Sequence, residues 1–579
     1  MNTRVVKHES LFTSLPIGVP QGHENAGGVS VDAPLLGNGD MTAAFAFYPG
    51  FPQFWVSTND FWEQKTDNWI PENWSVGPGR PLPLGRLVFD MPALLGAKVT
   101  ARQRFAEAVT IAEYELAGQK ALVMRSLVCA SENILLCEFA VPPGAGDVEI
   151  NALFLFPEQF GLGLDKKGDY RRFWSKAYIR NQASEYMEDA GPVMHGFRRI
   201  SGNVDQETQV SFAGRFTGRD GPKIKLAAGE KAVYALVLRS EEKTILSARH
   251  AFARAETLKD GDVRMLEELH RAWWNNFWDV SEVEIRDPLI EQRYYLSQYV
   301  IASMSRDPKF PPNIFGICTW DNPLWNGNYK INYNHQAPYW GLYASGHYEQ
   351  ADPHDAPYLA LEGQGRQISE KLTGHPGVLM PGGLGPKGLV SESMIYHMKS
   401  MGAFALCNMA MRWYTSYDPA YGVKIYSYLR GIVEFWEHDL QFDGTYYHVV
   451  NDHAHEMWTE VDTMDTPSTL GFIKNALRLI LDISAVLDVD AGKRGKWKEI
   501  LEKLPPYAVK DASEITKLWG SEAKEELRLT DIYPEEFLKG KKIFLLHGKG
   551  EEYSFNCAVF LQQVFAAGDI GPGSDPELL

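Results

Sequence analysis

Two polar, aromatic-rich stretches of the chain carry residue types that could do chemistry. The stretch NDHAHEMWTEVDTMD (451–465) places Glu456, Glu460, Asp462 and Asp465 beside His453, His455 and Trp458. Breaking a glycosidic bond without a cofactor needs one carboxylic acid to protonate the leaving oxygen. A second carboxylate acts as base or nucleophile, roughly 6.5–9.5 Å away when configuration inverts. A carboxyl next to Trp458 and close to a helix would be partly desolvated, which raises its pKa toward that of a useful acid. Other readings stand beside this one. Asp465 precedes Thr466-Pro467, the pattern of a helix start, so capping is open for it. His453, His455 and Glu456 also have the makings of a weak metal motif; no metal and no cofactor is expected.

The other stretch, NIFGICTWDNPLWNGNYKINYNHQAPYW (313–340), is dense in Asn, Trp and Tyr. If Asn332 to Gln336 ran extended, Asn332, Asn334 and Gln336 would share a face. Amides on one face could hold a water or sugar hydroxyls, because each carries donors and an acceptor. Equally, they could satisfy buried backbone groups in a long loop.

These stretches need a frame, and its outline is legible. With 579 residues, 45 % of them hydrophobic and 23 % charged, the chain is expected to form two or three domains. Residues 1–250 read as an N-terminal β-sandwich. Apolar or alternating runs such as MTAAFAFY (41–48), QFWVST (53–58), GRLVFDM (85–91) and KAVYALVLRS (231–240) recur between turns without intervening helices. Residues 157–200 read as an irregular excursion. Helical spacing begins at 246, giving a linker over 251–286 that closes on a short strand at SEVEIR (281–286). Residues 287–579 read as helix pairs joined by long loops, with helices over 289–305, 355–372, 393–416, 422–440, 466–487, 492–504 and 556–567. Loops at one end of such a toroid form a pocket.

Composition narrows the partners. The formal net charge of −17 and the absence of a Lys/Arg run argue against nucleic acid. No stretch approaches a membrane span. The first residues lack the apolar core of a secretion signal, so a cytoplasmic location is the expectation, with other export routes left open. Five scattered cysteines form no zinc or disulfide pattern. Sixteen Trp and 26 Tyr fit either a large core or a groove where sugars stack.

Asn332-Tyr333-Asn334-His335-Gln336-Ala337-Pro338-Tyr339-Trp340 resembles the signature N-I-N-L-Q-M-N-Y-W of glycoside hydrolase family 95, a six-hairpin glycosidase family. NIFGICTWDNPLWNGNYK is similar to that family's N-L-Q-G-I-W-N stretch. LLGNGDMTAAFAF (35–47) and STNDFWE (57–63) resemble its P-I-G-N-G-x-L-G and L-N-E-D-T-L-W segments, and VFAAGDIGPGSDPELL (564–579) is similar to a late barrel segment. The resemblance thus runs along the whole chain.

It implies an N-terminal β-sandwich, a helical linker and an (α/α)6-type barrel. It also implies catalytic roles: Asn332 and Asn334 positioning the attacking water, and Glu456 as general acid with Glu460 next in line, since Met464-Asp465 matches the M-D that follows the family's acid. The family's S-P-E-N around its Glu is absent here. Trp320, Trp325, His335, Gln336 and Trp340 become the substrate-binding candidates. The family's assisting Asp and closing helices would fall beyond residue 579, so a fragment, a barrel closed differently and a site without that base all stay open. The expected activity is exo-acting, inverting hydrolysis of an α-L-fucoside- or α-L-galactoside-like glycan. The alternatives are a carbohydrate-binding protein without turnover, and a lyase or phosphorylase on a similar toroid; for a lyase, Tyr333 and His335 would move the proton.

Overall fold

The structure is a computed structural model. It describes residues 4–13, 33–64, 79–157, 161–164, 170–173, 183–202, 204–319, 321, 323–392, 398–452, 463–515, 517–519, 529–545, 548, 553–555 and 561–574. The chain divides into two compact units. The first holds residues 1–66, 78–328 and 345–353; the second holds 67–77, 329–344 and 354–579.

In the first unit two antiparallel sheets share one core. The larger has nine strands, Glu9–Phe12, Lys98–Arg104, Val109–Leu116, Gln119–Val128, Ile134–Ala140, Lys231–Ser240, Thr208–Phe216, Val193–Ile200 and Ala183–Ala190 in spatial order. The smaller has six: Lys223–Leu226, Val148–Leu155, Gly85–Asp90, Gln53–Thr58, Met41–Ala46 and Leu35–Gly37. Phe45, Phe54, Phe89 and Phe154 of the smaller sheet meet Tyr114, Phe139, Phe212 and Tyr234 of the larger in a single buried cluster. Side chains of both inner faces merge this way in a sandwich. Three helices follow in this unit: α1 (Ser247–Thr257), α2 (Asp260–Asp279) and α3 (Pro288–Met304).

The motifs at 35–47 and 57–63 are anchored within this unit. Asn38 accepts from the Asp40 and Met41 amides through Oδ1 and donates through Nδ2 to Cys129 O, Glu132 O and Asn133 Oδ1. The turn lies against the end of α3. Gly39 N donates to Ser303 O at 2.9 Å, and Asn59 Nδ2 donates to Gly39 O and Met304 O. A Cβ at Gly37 would stand 2.1 Å from Ser303 O, and one at Gly39, at φ +86°, 2.2 Å from Arg306 Cβ. Close approach of backbone to backbone thus requires both glycines. Lys243 completes the anchor, 2.6 Å from Asp40 and 2.7 Å from Asp307.

The later helices are α4 (Trp340–Ser345), α5 (Tyr348–Ala351), α6 (Ala356–Thr373), α7 (Met401–Ser416), α8 (Pro419–Asp439), α9 (Pro467–Leu487) and α10 (Arg494–Glu502). Of these, α6 to α10 belong wholly to the second unit, where α9 packs on both α7 and α8. Pro stands in the first turn of α3, α6, α8 and α9, where its missing N–H costs no helical bond. Among the described residues, no helix is long and apolar enough to cross a membrane.

Three readings of the sequence need correction. The excursion at 157–200 contains strands: Gly161–Leu164 pairs with Tyr170–Phe173, and Ala183–Ala190 and Val193–Ile200 extend the large sheet. The helical spacing from 246 to 278 covers two helices, separated at Leu258 and Lys259. SEVEIR forms no strand; instead, the Val283 and Ile285 amides donate to the Tyr295 hydroxyl and to Glu291 of α3. The beginning of the expected helix at 393–416, and that of 556–567, lie outside the described residues; residues 562–566 are turns.

Candidate active site

In the second unit, Tyr329–Lys330 pairs with Gly383–Leu384, and the chain then winds instead of running on. His335 N donates to Lys330 O, and the Gln336 and Ala337 amides both donate to Tyr333 O at 3.1 and 3.0 Å. Residues 331–336 are therefore successive turns running into the short 3₁₀ segment Ala337–Tyr339 and α4. The extended arrangement considered for Asn332, Asn334 and Gln336 does not form. With Pro338 in the first helical turn, the chain is already committed to helical dihedrals.

The winding sorts the candidates by burial. Gln336 is fully buried; its Nε2 donates to Ile331 O, and its backbone carbonyl accepts from Asn408 Nδ2 at 2.9 Å. Asn408 Oδ1 accepts from Trp340 Nε1, also at 2.9 Å. Tyr333 and Phe565 meet the Trp340 ring edge to face. His335 is buried too, stacked on His354 with ring centroids 5.1 Å apart and its Nε2 3.2 Å from His354 O. Burial, and then the neighbouring His354, push its pKa down to about 3, so it stays neutral. His354 Nδ1 in turn meets Asp355, whose other oxygen accepts from Tyr421 and Lys424. Asn332 is buried, with 5 % of its surface exposed, whereas Asn334 is half-buried. Among the described residues no hydrogen bond engages the Asn334 amide. Asn334 thus keeps its donors and acceptor, while its neighbours hold the turn that carries it.

Asn408 was not anticipated from sequence. One Asn inside the apolar helix MGAFALCNMAMRWYTS was the available signal. Replacing Asn408 with Ala is expected to leave the half-buried Trp340 indole N–H without its partner and the Gln336 backbone carbonyl with the Tyr339 amide alone. The expected loss is about 1–3 kcal/mol of stability in urea unfolding. If the variant unfolds like the parent, the clamp is not made.

Within the carboxylate stretch, residues 453–462 lie outside the described residues, and with them His453, His455, Glu456, Trp458, Glu460 and Asp462. Trp320 also lies outside, and of the Trp325 side chain nothing is described. The two feet of the carboxylate stretch are fixed. Val450 bridges Met464, Asn451 N donates to Thr463 O, and Thr463 Oγ1 donates to Asp452 O. Asp452 is buried and accepts from the Lys399 and Ser400 amides at the start of α7 and from Thr469 Oγ1 of α9. Burial pushes its carboxyl up to about 6, against the pull of Lys399 and these hydrogen bonds. The Asp465 side chain does not cap α9. Its oxygens accept from Val449 N at 2.9 Å and from His448 Nδ1 at 2.7 Å.

His448 lies between two carboxylates, with Asp443 3.2 Å from Nε2. Its pKa is raised: burial opposes the charged form, and the bonds to Asp465 and Asp443 outweigh burial. A raised folded-state pKa gives stabilisation that is complete below the unfolded value of about 6.5 and is lost as pH rises through the folded value. The Tm of the parent is accordingly expected to fall relative to that of His448→Gln between about pH 6 and 8. Parallel curves would refute the assignment.

Asp321 is locked in the first unit. Arg198 donates to both of its oxygens, at 2.6 and 2.5 Å, and both side chains are buried. Among the described residues, no group of three or more His, Cys, Asp or Glu side chains could hold a metal ion.

Residues 272–528 match the sequence profile of the Glycosyl hydrolase family 95 catalytic domain. No curated protein matches the chain. A solved structure described as a kojibiose phosphorylase from the human microbiome is similar over 91 % of this chain and 75 % of that one, with a TM-score of 0.57 and 12 % identity. At that identity the likeness concerns the fold, a β-sheet domain followed by an α/α toroid. A glycosyl hydrolase of family gh92 is similar over 86 % of this chain and 64 % of that one, with a TM-score of 0.36 and 11 % identity.

Proposed function

We propose that this chain, whose residues 272–528 match the Glycosyl hydrolase family 95 catalytic domain, is an exo-acting glycosidase that inverts configuration on a neutral α-L-fucoside- or α-L-galactoside-like glycan. The observation that carries this reading is the turn of residues 331–336. His335, Gln336, Asn408 and Trp340 fix its frame, and Asn334 on it is half-buried, with no hydrogen bond to its side chain among the described residues. Asn332 and Asn334 hold the attacking water, and Glu456 protonates the leaving oxygen. The described carboxylates nearest in sequence to these groups, Asp321, Asp452 and Asp465, are each bound by fixed donors. That leaves Glu460 and Asp462 as the candidates to assist the water. Trp340 presents an indole held by Asn408 as the stacking surface.

A lyase reading loses support at His335. Its Nε2 faces a backbone carbonyl, and the ring is buried and neutral, so it is poorly placed to abstract a substrate proton. The test is a panel of aryl α-L-fucosides and α-L-galactosides, with the product anomer followed by NMR in the presence and absence of phosphate. Release of free sugar of inverted configuration, independent of phosphate, is the expected result. A sugar 1-phosphate formed only with phosphate, an unsaturated product absorbing in the ultraviolet, or binding without turnover would each overturn it.

A further inference from the structure

Within the second unit a buried line of hydrogen bonds runs from α8 to His335 of the 331–336 turn. Lys424 Nζ and the Tyr421 hydroxyl of α8 donate to Asp355 Oδ2 at 3.2 and 3.0 Å. Asp355 Oδ1 faces His354 Nδ1 at 3.1 Å, and the His354 backbone carbonyl faces His335 Nε2 at 3.2 Å. We propose that Asp355 is a positioning residue: through His354 and His335 it sets where the turn holds Asn332 and Asn334, without touching substrate. The inference rests on the reading above in which those two amides hold the attacking water.

The partners fix the protons along this line. A carboxylate and a carbonyl only accept, so His354 carries its proton on Nδ1 and His335 on Nε2. Burial lowers the pKa of both rings and keeps them neutral, which leaves the other nitrogen of each a bare acceptor. In His354 that nitrogen, Nε2, is buried, and among the described residues no donor reaches it. An acceptor sealed in this way is unfavourable. The other tautomer would be worse, because it would set a bare Nδ1 against the carboxylate at 3.1 Å. Asp355 is buried as well. Burial disfavours its charge, but His354, Lys424 and Tyr421 outweigh burial and hold the carboxyl below its usual range.

The ring that Asp355 orients is the bed on which the histidine of the turn lies. His335 and His354 stack with 17° between planes. Tyr339 meets both rings edge to face, and Tyr358 packs at a tilt against both. A rotation of His354 in this close stack displaces His335, the neighbour of Asn334 in sequence. Asp355 stands at the start of α6, yet its side chain does not cap that helix. Apolar side chains could fill the same space without burying a charge. What the carboxylate adds is one tautomer and one orientation of the His354 ring. A misplacement of about 1 Å at groups that hold reactants costs about 10²-fold in rate.

The test combines kinetics on the aryl glycoside panel with NMR of the full chain, labelled with nitrogen-15 in its histidine rings and asparagine amides. The parent is expected to show neutral His354 as the Nδ1–H tautomer and His335 as the Nε2–H tautomer. In Asp355→Asn the amide oxygen must turn to Lys424, which only donates, so the NH2 group faces His354 and the ring proton moves to Nε2. The Asn334 side-chain signals are then expected to shift. With them kcat is expected to fall by about 10–10²-fold, with KM within about twofold. A purely structural role would lower Tm and leave kcat per folded molecule unchanged. If Asp355→Asn fails to fold, Tyr421→Phe, which removes one donor from Asp355, is expected to lose about threefold in kcat at constant KM; parental kcat there would overturn the proposal. So would a parent with His354 protonated on Nε2, or a folded Asp355→Asn with parental kcat. A parent silent on every glycoside, in which Asp355→Asn still moves the Asn334 signals, would remove the glycosidase reading and leave the positioning role; unmoved signals would remove both.

Discussion

Replacing Arg198 with Ala is expected to destabilise the first unit by about 3–5 kcal/mol, the range measured when one partner of a buried ion pair is removed. Arg198 is fully buried on the strand Val193–Ile200, and Asp321 is nearly so. Besides its two bonds to Asp321, the guanidinium donates to Pro83 O at 2.7 Å and to Glu185 at 3.1 Å. Truncation therefore strands one buried carboxylate and one buried carbonyl, and weakens the hold of the sandwich on the segment carrying Thr319 and Asp321. The size of the loss reflects the uncompensated charge and not a large net contribution of the pair. The double variant Arg198→Met/Asp321→Leu should accordingly recover most of the stability. Glu63 and Arg80 form a second buried pair near enough for Asp321 and Arg198 to influence the Glu63 carboxyl, so variants at the two pairs should be non-additive. Urea unfolding followed by a probe in the sandwich checks all of this. A shift below about 1 kcal/mol for Arg198→Ala would mean the pair is hydrated.

The same residue shows where sequence reading reached its limit. Runs such as MTAAFA and QFWVST are buried at every position, and apolar composition between turns was enough to identify them as strands. VMHGFRRI carries two arginines at its end, and one of them is buried only because Asp321, 123 positions away, neutralises it. A local window cannot register such a partner. Pro467 marked the start of α9 correctly, because its effect on the backbone is local. The role of Asp465 was not legible, since its partner His448 arrives through the antiparallel bridge between Val450 and Met464. The site divides in the same way. The family resemblance picked out the Asn332 to Trp340 segment, while its fixed geometry depends on Asn408, 72 residues from Gln336. Residues 37–40 entered the resemblance only as part of LLGNGDMTAAFAF, and their structural work lies in close packing against the end of α3.

Glu456→Gln is expected to lower kcat by about 10²–10⁴-fold on substrates with poor leaving groups, with little change in KM. Gln fills the same volume and keeps an acceptor, but has no proton to give at neutral pH. The dependence on leaving group separates this role from a structural one. An aryl oxide that departs readily as an anion needs little protonation, so the deficit should shrink steeply from a methyl or sugar aglycone to a dinitrophenyl one. The alkaline limb of the pH–rate profile should vanish with the acid. Asp452, immediately before the stretch, is tied to the starts of α7 and α9, and Val450 and Met464 close its base. Two helices thus hold the feet of the segment that carries Glu456. A deficit independent of leaving group would mark Glu456 as a binding or structural residue. Loss of the alkaline limb in Glu460→Gln, with Glu456→Gln unaffected, would move the acid to Glu460.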